Sequence, residues 1–280
     1  MSRLETAGAA IDYREGGSGA ALLLVHGSWD DRQMWELVRR GFESSFRTIA
    51  YSRRGHGQST GGGRLDADVR DLAALIERLD AAPAHLAGNS LGATICLRLV
   101  ASRPDLVASV SAHEPPLFGL LAGDPAWAPG LEEFQRRIGG VLELIEQDRT
   151  PEAAERFVDD VALGPGAWGL LPPEERERFI RHAATFAEEN ADPTIYGIEL
   201  ASLAEVTTPT LLTGGAASPP LFEPVLERLA ATLPQAERHR FPAAGHLPHV
   251  THPDEYIDAV TGFASRTARH STDAVSTAGR

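Results

Sequence analysis

Gly88-Asn89-Ser90-Leu91-Gly92 lies between two segments of opposite habit. Ala84, Leu86 and Ala87 lead into it as a short apolar run, and Ala93, Ile95, Leu97, Leu99 and Val100 follow as a helix-like segment. A strand that turns sharply into a helix lifts the residue between them clear of the backbone. Glycines two residues to either side relieve the crowding of such a strained turn. A serine hydroxyl is a poor nucleophile until the backbone exposes it and a base takes its proton. G-x-S-x-G also arises by chance, as a glycine turn with an exposed serine; the strand before it and the helix after it separate the two cases. Ser90 is therefore the candidate nucleophile.

The rest of the chain supplies partners. Leu22 to Val25 is continuously apolar, as expected of a strand buried on both faces. It ends in His26-Gly27-Ser28-Trp29. A glycine at a strand end lets the next N–H turn inward, so the Ser28 N–H can join the Leu91 N–H in holding an oxyanion. The chemistry asks only for backbone here: His26 reads as structural and the Ser28 hydroxyl as orienting. Late in the chain, Phe241-Pro242-Ala243-Ala244-Gly245-His246 reads as a strand end, a glycine turn and an exposed imidazole. Histidine suits a general base because its pKa lies near working pH. His249 and His252 compete, but they sit in a proline-punctuated segment that opens the last helix. His246 is better placed.

In order, H-G, R-R-G-H-G-Q-S (Arg53 to Ser59), G-N-S-L-G and the late G-H resemble the α/β-hydrolase fold family over about residues 10 to 265. The resemblance implies a mostly parallel central sheet flanked by helices, with Arg53 to Ser59 as a structural loop after a strand at Thr48 to Tyr51. That family usually has Asp before the Arg-Arg pair, where this chain has Ser52, so an ion pair or hydrogen bond is expected to be missing. It also commonly places an acid after the strand read here as Thr210 to Thr213. This chain continues Gly214-Gly215-Ala216-Ala217-Ser218, with no carboxylate before Glu223. The alternative place is the end of the preceding strand, Val107 to Ala112, which runs into His113-Glu114. A carboxylate fixes the tautomer of the histidine and stabilises the imidazolium. Glu114 is the candidate acid, Glu223 is second, and a dyad without an acid is third.

The pattern organises the chain into a core of residues 1–116 and 206–268, a helical cap of 117–205, and a disordered tail of 269–280. Strand-like and helix-like runs alternate from Ala20 to about Ala112, with a helix over Asp66 to Leu79; strand signals then vanish until Thr208. Leu131 to Gln147, Pro151 to Val161 and Pro173 to Glu189 read as amphipathic helices, and Ala236 to Phe241 as the last strand. Trp29, Phe118, Trp127 and Trp168 are the pocket candidates, the last three because they lie in Gly- and Pro-rich stretches outside regular helical stripes; packing of the cap onto the core is the plainer role for any one of them.

Composition narrows the partners. The 280 residues carry a net charge of −13, which opposes nucleic-acid phosphates and anionic membranes. One cysteine, Cys96, excludes an intramolecular disulfide. No metal-ligand spacing and no phosphate-cradling loop occurs, so no metal and no cofactor is expected. Without a basic-plus-apolar leader or a membrane-length apolar run, the chain is expected in the cytoplasm. A small-molecule substrate is expected; oligomeric state is not readable. These readings imply a serine-type hydrolase of a largely apolar carboxylic ester, lactone or thioester. Acyl transfer and carbon–carbon bond hydrolysis would use the same residues, and a binding protein that has lost catalysis is the non-enzymatic alternative.

Overall fold

The computed structural model describes residues 2–62 and 64–278, with side chains as far as residue 267. Its centre is β3 (Ala21–Val25), every residue of which is buried. Alternate side chains leave a strand on opposite faces, and here Leu23 and Val25 enter one apolar cluster while Leu22 and Leu24 enter another. The strand therefore has a helical layer on each side. Truncating any of these leucines to alanine would cost about 2–5 kcal/mol.

Around β3 the sheet has eight strands among the described residues. β4 (Arg47–Tyr51) pairs parallel on one side and β5 (Ala84–Asn89) parallel on the other. Beyond β5 follow β6 (Val107–His113), β7 (Thr210–Gly215) and β8 (Ala236–Phe241), all parallel. Beyond β4 lie β2 (Ala9–Gly16) and β1 (Ser2–Thr6), both antiparallel to their neighbours. Sequence reading began the strands at Ala20 and missed this polar, half-exposed hairpin, whose burial pattern lacks a continuous apolar run.

Helices α1 (Glu36–Phe42), α2 (Leu65–Arg78) and α3 (Leu91–Ser102) connect the first parallel strands. Between β6 and β7 the chain is helical, through α4 (Ala128–Glu146), α5 (Thr150–Phe157), α6 (Ala167–Leu170), α7 (Pro173–Arg181), α8 (Ala183–Asn190) and α9 (Leu200–Ala204). This insertion has its own apolar cluster, which includes Ile138, Val141, Phe179 and Phe186 and takes in Trp29 from the core. The segment expected as one helix over Pro173 to Glu189 breaks at His182. There the imidazole Nε2 accepts the Gly57 N–H at 3.1 Å, tying the break to the loop of Arg53 to Ser59.

α10 (Phe222–Thr232), α11 (Pro248–Thr251) and α12 (Pro253–Ala278) complete the core. The tail expected as disordered over 269–280 continues the backbone of α12 as far as Ala278, and its last two residues lie outside those described. No helix among the described residues is long and apolar enough to cross a membrane.

Candidate active site

Ser90 stands between the last residue of β5 and the first of α3, with φ 53° and ψ −123°. An L-residue in that conformation is strained by about 1–3 kcal/mol and persists only where the surroundings enforce it. The enforcement comes from the flanking glycines. A Cβ on Gly88 would fall 2.6 Å from the Gly92 carbonyl oxygen, and one on Gly92 would fall 2.1 Å from the Val25 carbonyl oxygen. Gly27 allows the end of β3 to close on the serine: a Cβ there would sit 2.9 Å from Ser90 Cβ. The five non-glycine residues with positive φ among the described residues are Trp29, Asp80, Ser90, Glu114 and Asp148. Asp80 and Asp148 follow helix ends, where aspartate tolerates the left-handed region; Ser90 and Glu114 belong to the site, and Trp29 follows Ser28, which lines the same cavity.

Glu114 lies just past the end of β6, at φ 45°. Its N–H donates to the Thr213 carbonyl at 3.1 Å, which holds the turn against β7. The side chain is 1% exposed. Oε2 lies 2.7 Å from His246 Nδ1, and Oε1 accepts the Gly215 N–H at 2.7 Å. Burial pushes this carboxyl up, but in the acid range where it titrates the charge that His113 then carries, together with the hydrogen bond and charge of His246, outweighs burial and brings it down to about 2. The carboxylate thus stays ionised at neutral pH. His113 is pushed the other way by desolvation, to about 4, so it is neutral there, with Nδ1 2.9 Å from Thr213 Oγ1.

His246 follows β8 in the turn foreseen from Gly245. Asn89 Nδ2 donates to the His246 carbonyl at 3.0 Å, so the residue before Ser90 also anchors the loop that carries His246. The imidazole stacks on Phe222, with centroids 4.8 Å apart and planes 17° apart. Its Nδ1 is committed to Glu114, which leaves Nε2 for the cavity that His246 and Ser90 both line. His249 is fully buried against Trp35 and Tyr256, and Glu223 pairs with Arg238 on β8 at the surface. Neither of these competitors lines the cavity. One ligand atom each from His113, Glu114 and His246 falls within 4.8 Å of the others, close enough to hold a cation. Here Glu114 and His246 instead share a direct hydrogen bond, the contact that an acid–base pair requires.

Ser28 and Leu91 also line the cavity. Behind them, the side chain of His26 is structural: Nδ1 contacts the Gly27 carbonyl at 2.8 Å, and Nε2 accepts the Arg53 N–H at 2.8 Å. The guanidinium of Arg53 reaches Asp68 at 3.2 Å, the Gly27 carbonyl at 3.0 Å and Glu189 on α8. Arg54 is held by both oxygens of Asp71. The carboxylates missing at Ser52 are thus supplied from α2 and from the insertion, and the Ser52 hydroxyl accepts the Arg32 N–H at 3.4 Å.

Of the pocket candidates, Phe118 lines the cavity; Trp29, Trp127 and Trp168 do not. Trp29 is fully buried as a wedge between core and insertion, stacked on Phe157 at 4.8 Å. Trp127 packs against the core cluster, and Trp168 sits edge-on to Phe179 beneath the Arg176 guanidinium. The walls are instead Phe134 and Ile138 from α4, Phe157, Phe179, Phe186, Tyr196 and Phe222. Phe134, Ile138, Phe179 and Phe186 read in the sequence as ordinary helical core stripes, and only the way the helices close over Ser90 distinguishes them.

The alpha/beta hydrolase family model matches residues 22–259, and the chain belongs to that family. It is 27% identical over 272 residues to a 2-(acetamidomethylene)succinate hydrolase of Mesorhizobium japonicum, covering 93% of this chain and 94% of that protein. It is 30% identical over 171 residues to an uncharacterized hydrolase, YraK, of Bacillus subtilis; that match covers 58% of this chain and 62% of YraK. Among solved structures, an alpha/beta hydrolase from Sphaerobacter thermophilus superposes with a TM-score of 0.70 at 26% identity, over 88% of this chain and 94% of that one. The protein is a hydrolase of the alpha/beta hydrolase superfamily.

Proposed function

We propose that the protein hydrolyses a largely apolar carboxylic ester, lactone or thioester through an acyl-enzyme on Ser90. The observation that carries this reading is the 2.7 Å contact between Glu114 and His246 Nδ1, on a cavity lined by both His246 and the strained Ser90. His246 takes the Ser90 proton as the hydroxyl attacks the carbonyl. The Ser28 and Leu91 N–H groups receive the developing oxyanion, Leu91 as the first residue of α3, where helix N–H groups are unpaired. The imidazolium, held by ionised Glu114, returns the proton to the leaving group. A water activated by the same histidine then frees the acid product. The helical insertion acts as the cap.

The succinate in the Mesorhizobium relative's name is a dicarboxylate. Among the described residues lining this cavity there is no arginine to receive one, and the aromatic and aliphatic wall favours a largely apolar acyl group that carries no carboxylate. The alternative of a ligand-binding protein of the same fold without turnover is less well supported, because Glu114 fills the acid position whose emptiness would mark a retired site.

The test is a fluorophosphonate probe with site mapping, alongside turnover of short p-nitrophenyl esters. Ser90 should be labelled, and Ser90→Ala should lose about 10⁴-fold or more in kcat with its melting temperature nearly unchanged. Wild-type turnover by the alanine variant would remove Ser90 from the mechanism.

A further inference from the structure

The polar content of the cavity is sparse and uneven. Besides His246, Asp30 is the one acidic or basic side chain among the described residues that line it; most of the rest is aromatic or aliphatic. Asp30 sits two residues beyond Ser28 in the loop that follows β3, and it is 9% exposed. That loop is firmly held: the Asp30 carbonyl lies 2.8 Å from His56 Nδ1, and Oδ1 accepts the Asp31 N–H at 2.8 Å. Arg178 on α7 approaches the same oxygen, with Nε at 2.9 Å, but does not line the cavity. Both of these contacts fall on Oδ1, and Oδ2 takes part in neither, while Asp30 itself is among the residues that line the cavity.

A carboxylate against an apolar wall is costly unless it is paired and hydrogen-bonded. Burial pushes the Asp30 carboxyl up to about 7 against the opposing pull of Arg178 and the Asp31 N–H, so the pairing from behind leaves it under-satisfied. A ligand that brings a donor to Oδ2 relieves that deficit, whereas a ligand carboxylate adds to it by like-charge repulsion.

We infer that Asp30 is a specificity-determining residue of this site, accepting a hydrogen bond from an ammonium or hydroxyl group that the substrate carries near its carbonyl and turning away substrates that carry a carboxylate there. The inference rests on the ester-hydrolase reading for the place of the carbonyl, since Asp30 shares its loop with the Ser28 N–H.

Binding of benzylamine and of benzoate to the wild-type protein, measured by calorimetry at about pH 8, tests it without requiring turnover. The two probes share a ring and differ in the charge and hydrogen-bonding sense of the head. Benzylammonium should bind at least tenfold more tightly, and Asp30→Asn should bring the two within about threefold. The net charge of −13 attracts cations generally, but that attraction would survive Asp30→Asn, so a preference that persists in the variant overturns the inference. So does benzoate binding as tightly as benzylamine to the wild type, or no binding of benzylamine. Asp30→Ser serves as a second variant if the asparagine protein does not fold. An inert protein that keeps the preference would sink the ester reading and leave Asp30 as a donor-binding residue; an active esterase without it would do the reverse.

Discussion

The ends of β6 and β7 lie side by side in the sheet, with His113 in register with Thr213, yet one continues into a carboxylate and the other into two glycines. The difference comes from what each strand end must pass. Gly215 runs so close to the histidine loop that a Cβ would sit 2.5 Å from the Ala244 carbonyl oxygen and 2.6 Å from that of Gly245. The β6 end has room for a side chain, and glutamate is long enough to cross to the imidazole that the β7 end would otherwise serve. The glycine strand still contributes, because the Gly215 N–H holds Glu114 Oε1. The β7 end and the imidazole thus hold the two oxygens of one carboxylate, Gly215 N–H at Oε1 and His246 Nδ1 at Oε2.

Breaking the β6 side should have the largest effect. Glu114→Gln should lower kcat for ester hydrolysis by roughly 10²-fold or more, approaching the ~10⁴-fold of an Asp-to-Asn change in a serine protease. Size and the Gly215 contact are kept, so the fold should survive. A kcat within threefold of wild type would mean that Glu114 does not orient His246. The comparison sharpens if Gly214→Asp is added to Glu114→Gln, since a Cβ at 214 would lie 3.5 Å from Glu114 Oε1 with Leu226 as its flexible neighbour. Recovery of about tenfold in kcat would show that the acid can be moved between strand ends. No recovery would confine it to β6.

The same carboxylate should mark the acid limb of stability. Its pKa in the folded protein lies near 2, below its ordinary value of 4.5. Between those values the unfolded chain binds the extra proton. The contribution is therefore complete above about pH 4.5 and is lost as pH falls towards 2, worth up to about 3 kcal/mol. Chemical denaturation of wild type and Glu114→Gln across that range should converge at the acid end; parallel curves would argue against the depressed pKa.

On the β7 side, Gly215→Ala should cost about 1–3 kcal/mol, the usual range for overpacking. The added methyl meets backbone carbonyls rather than a flexible side chain. A melting temperature lower by several degrees, with kcat reduced by displacement of the histidine loop, is the expected result. An unchanged melting temperature would show that the two segments can separate at little cost.

Much of this site was legible because its residues answer local backbone demands. Ser90 needs Gly88 and Gly92 around a strained φ, His246 needs the Gly245 turn, and Glu114 stands where a strand signal stops. The cavity wall was not legible. Trp127 and Trp168 attracted notice for lying outside regular stripes, whereas Phe134, Ile138, Phe179 and Phe186 repeat at helical spacing and look like core. Spacing within one helix says which residues share a face, but the cavity belongs to the arrangement of several helices over β5. Similarly, the serine at 52, where an acid was expected, is offset by Asp68 and Glu189, which lie 16 and 137 positions further on and could be paired with Arg53 only after folding.

The smallest effect is expected where the sequence offered the competing acid. Glu223 opens α10 and pairs with Arg238 on β8, with its side chain 43% exposed where that of Glu114 is 1% exposed. A pair so open to water exchanges hydration for a screened contact and is worth about 0–1 kcal/mol. The carboxylate reaches neither His246 nor the cavity wall, so Glu223→Gln gives the imidazole no reason to change tautomer or position. The kcat should stay within about threefold of wild type, and stability should change by less than about 1 kcal/mol. Assayed beside Glu114→Gln, this variant separates a requirement for a particular carboxylate from a general response to losing negative charge. A loss in kcat comparable to that of Glu114→Gln would move the acid to α10, and the division of labour between β6 and β7 would fall with it.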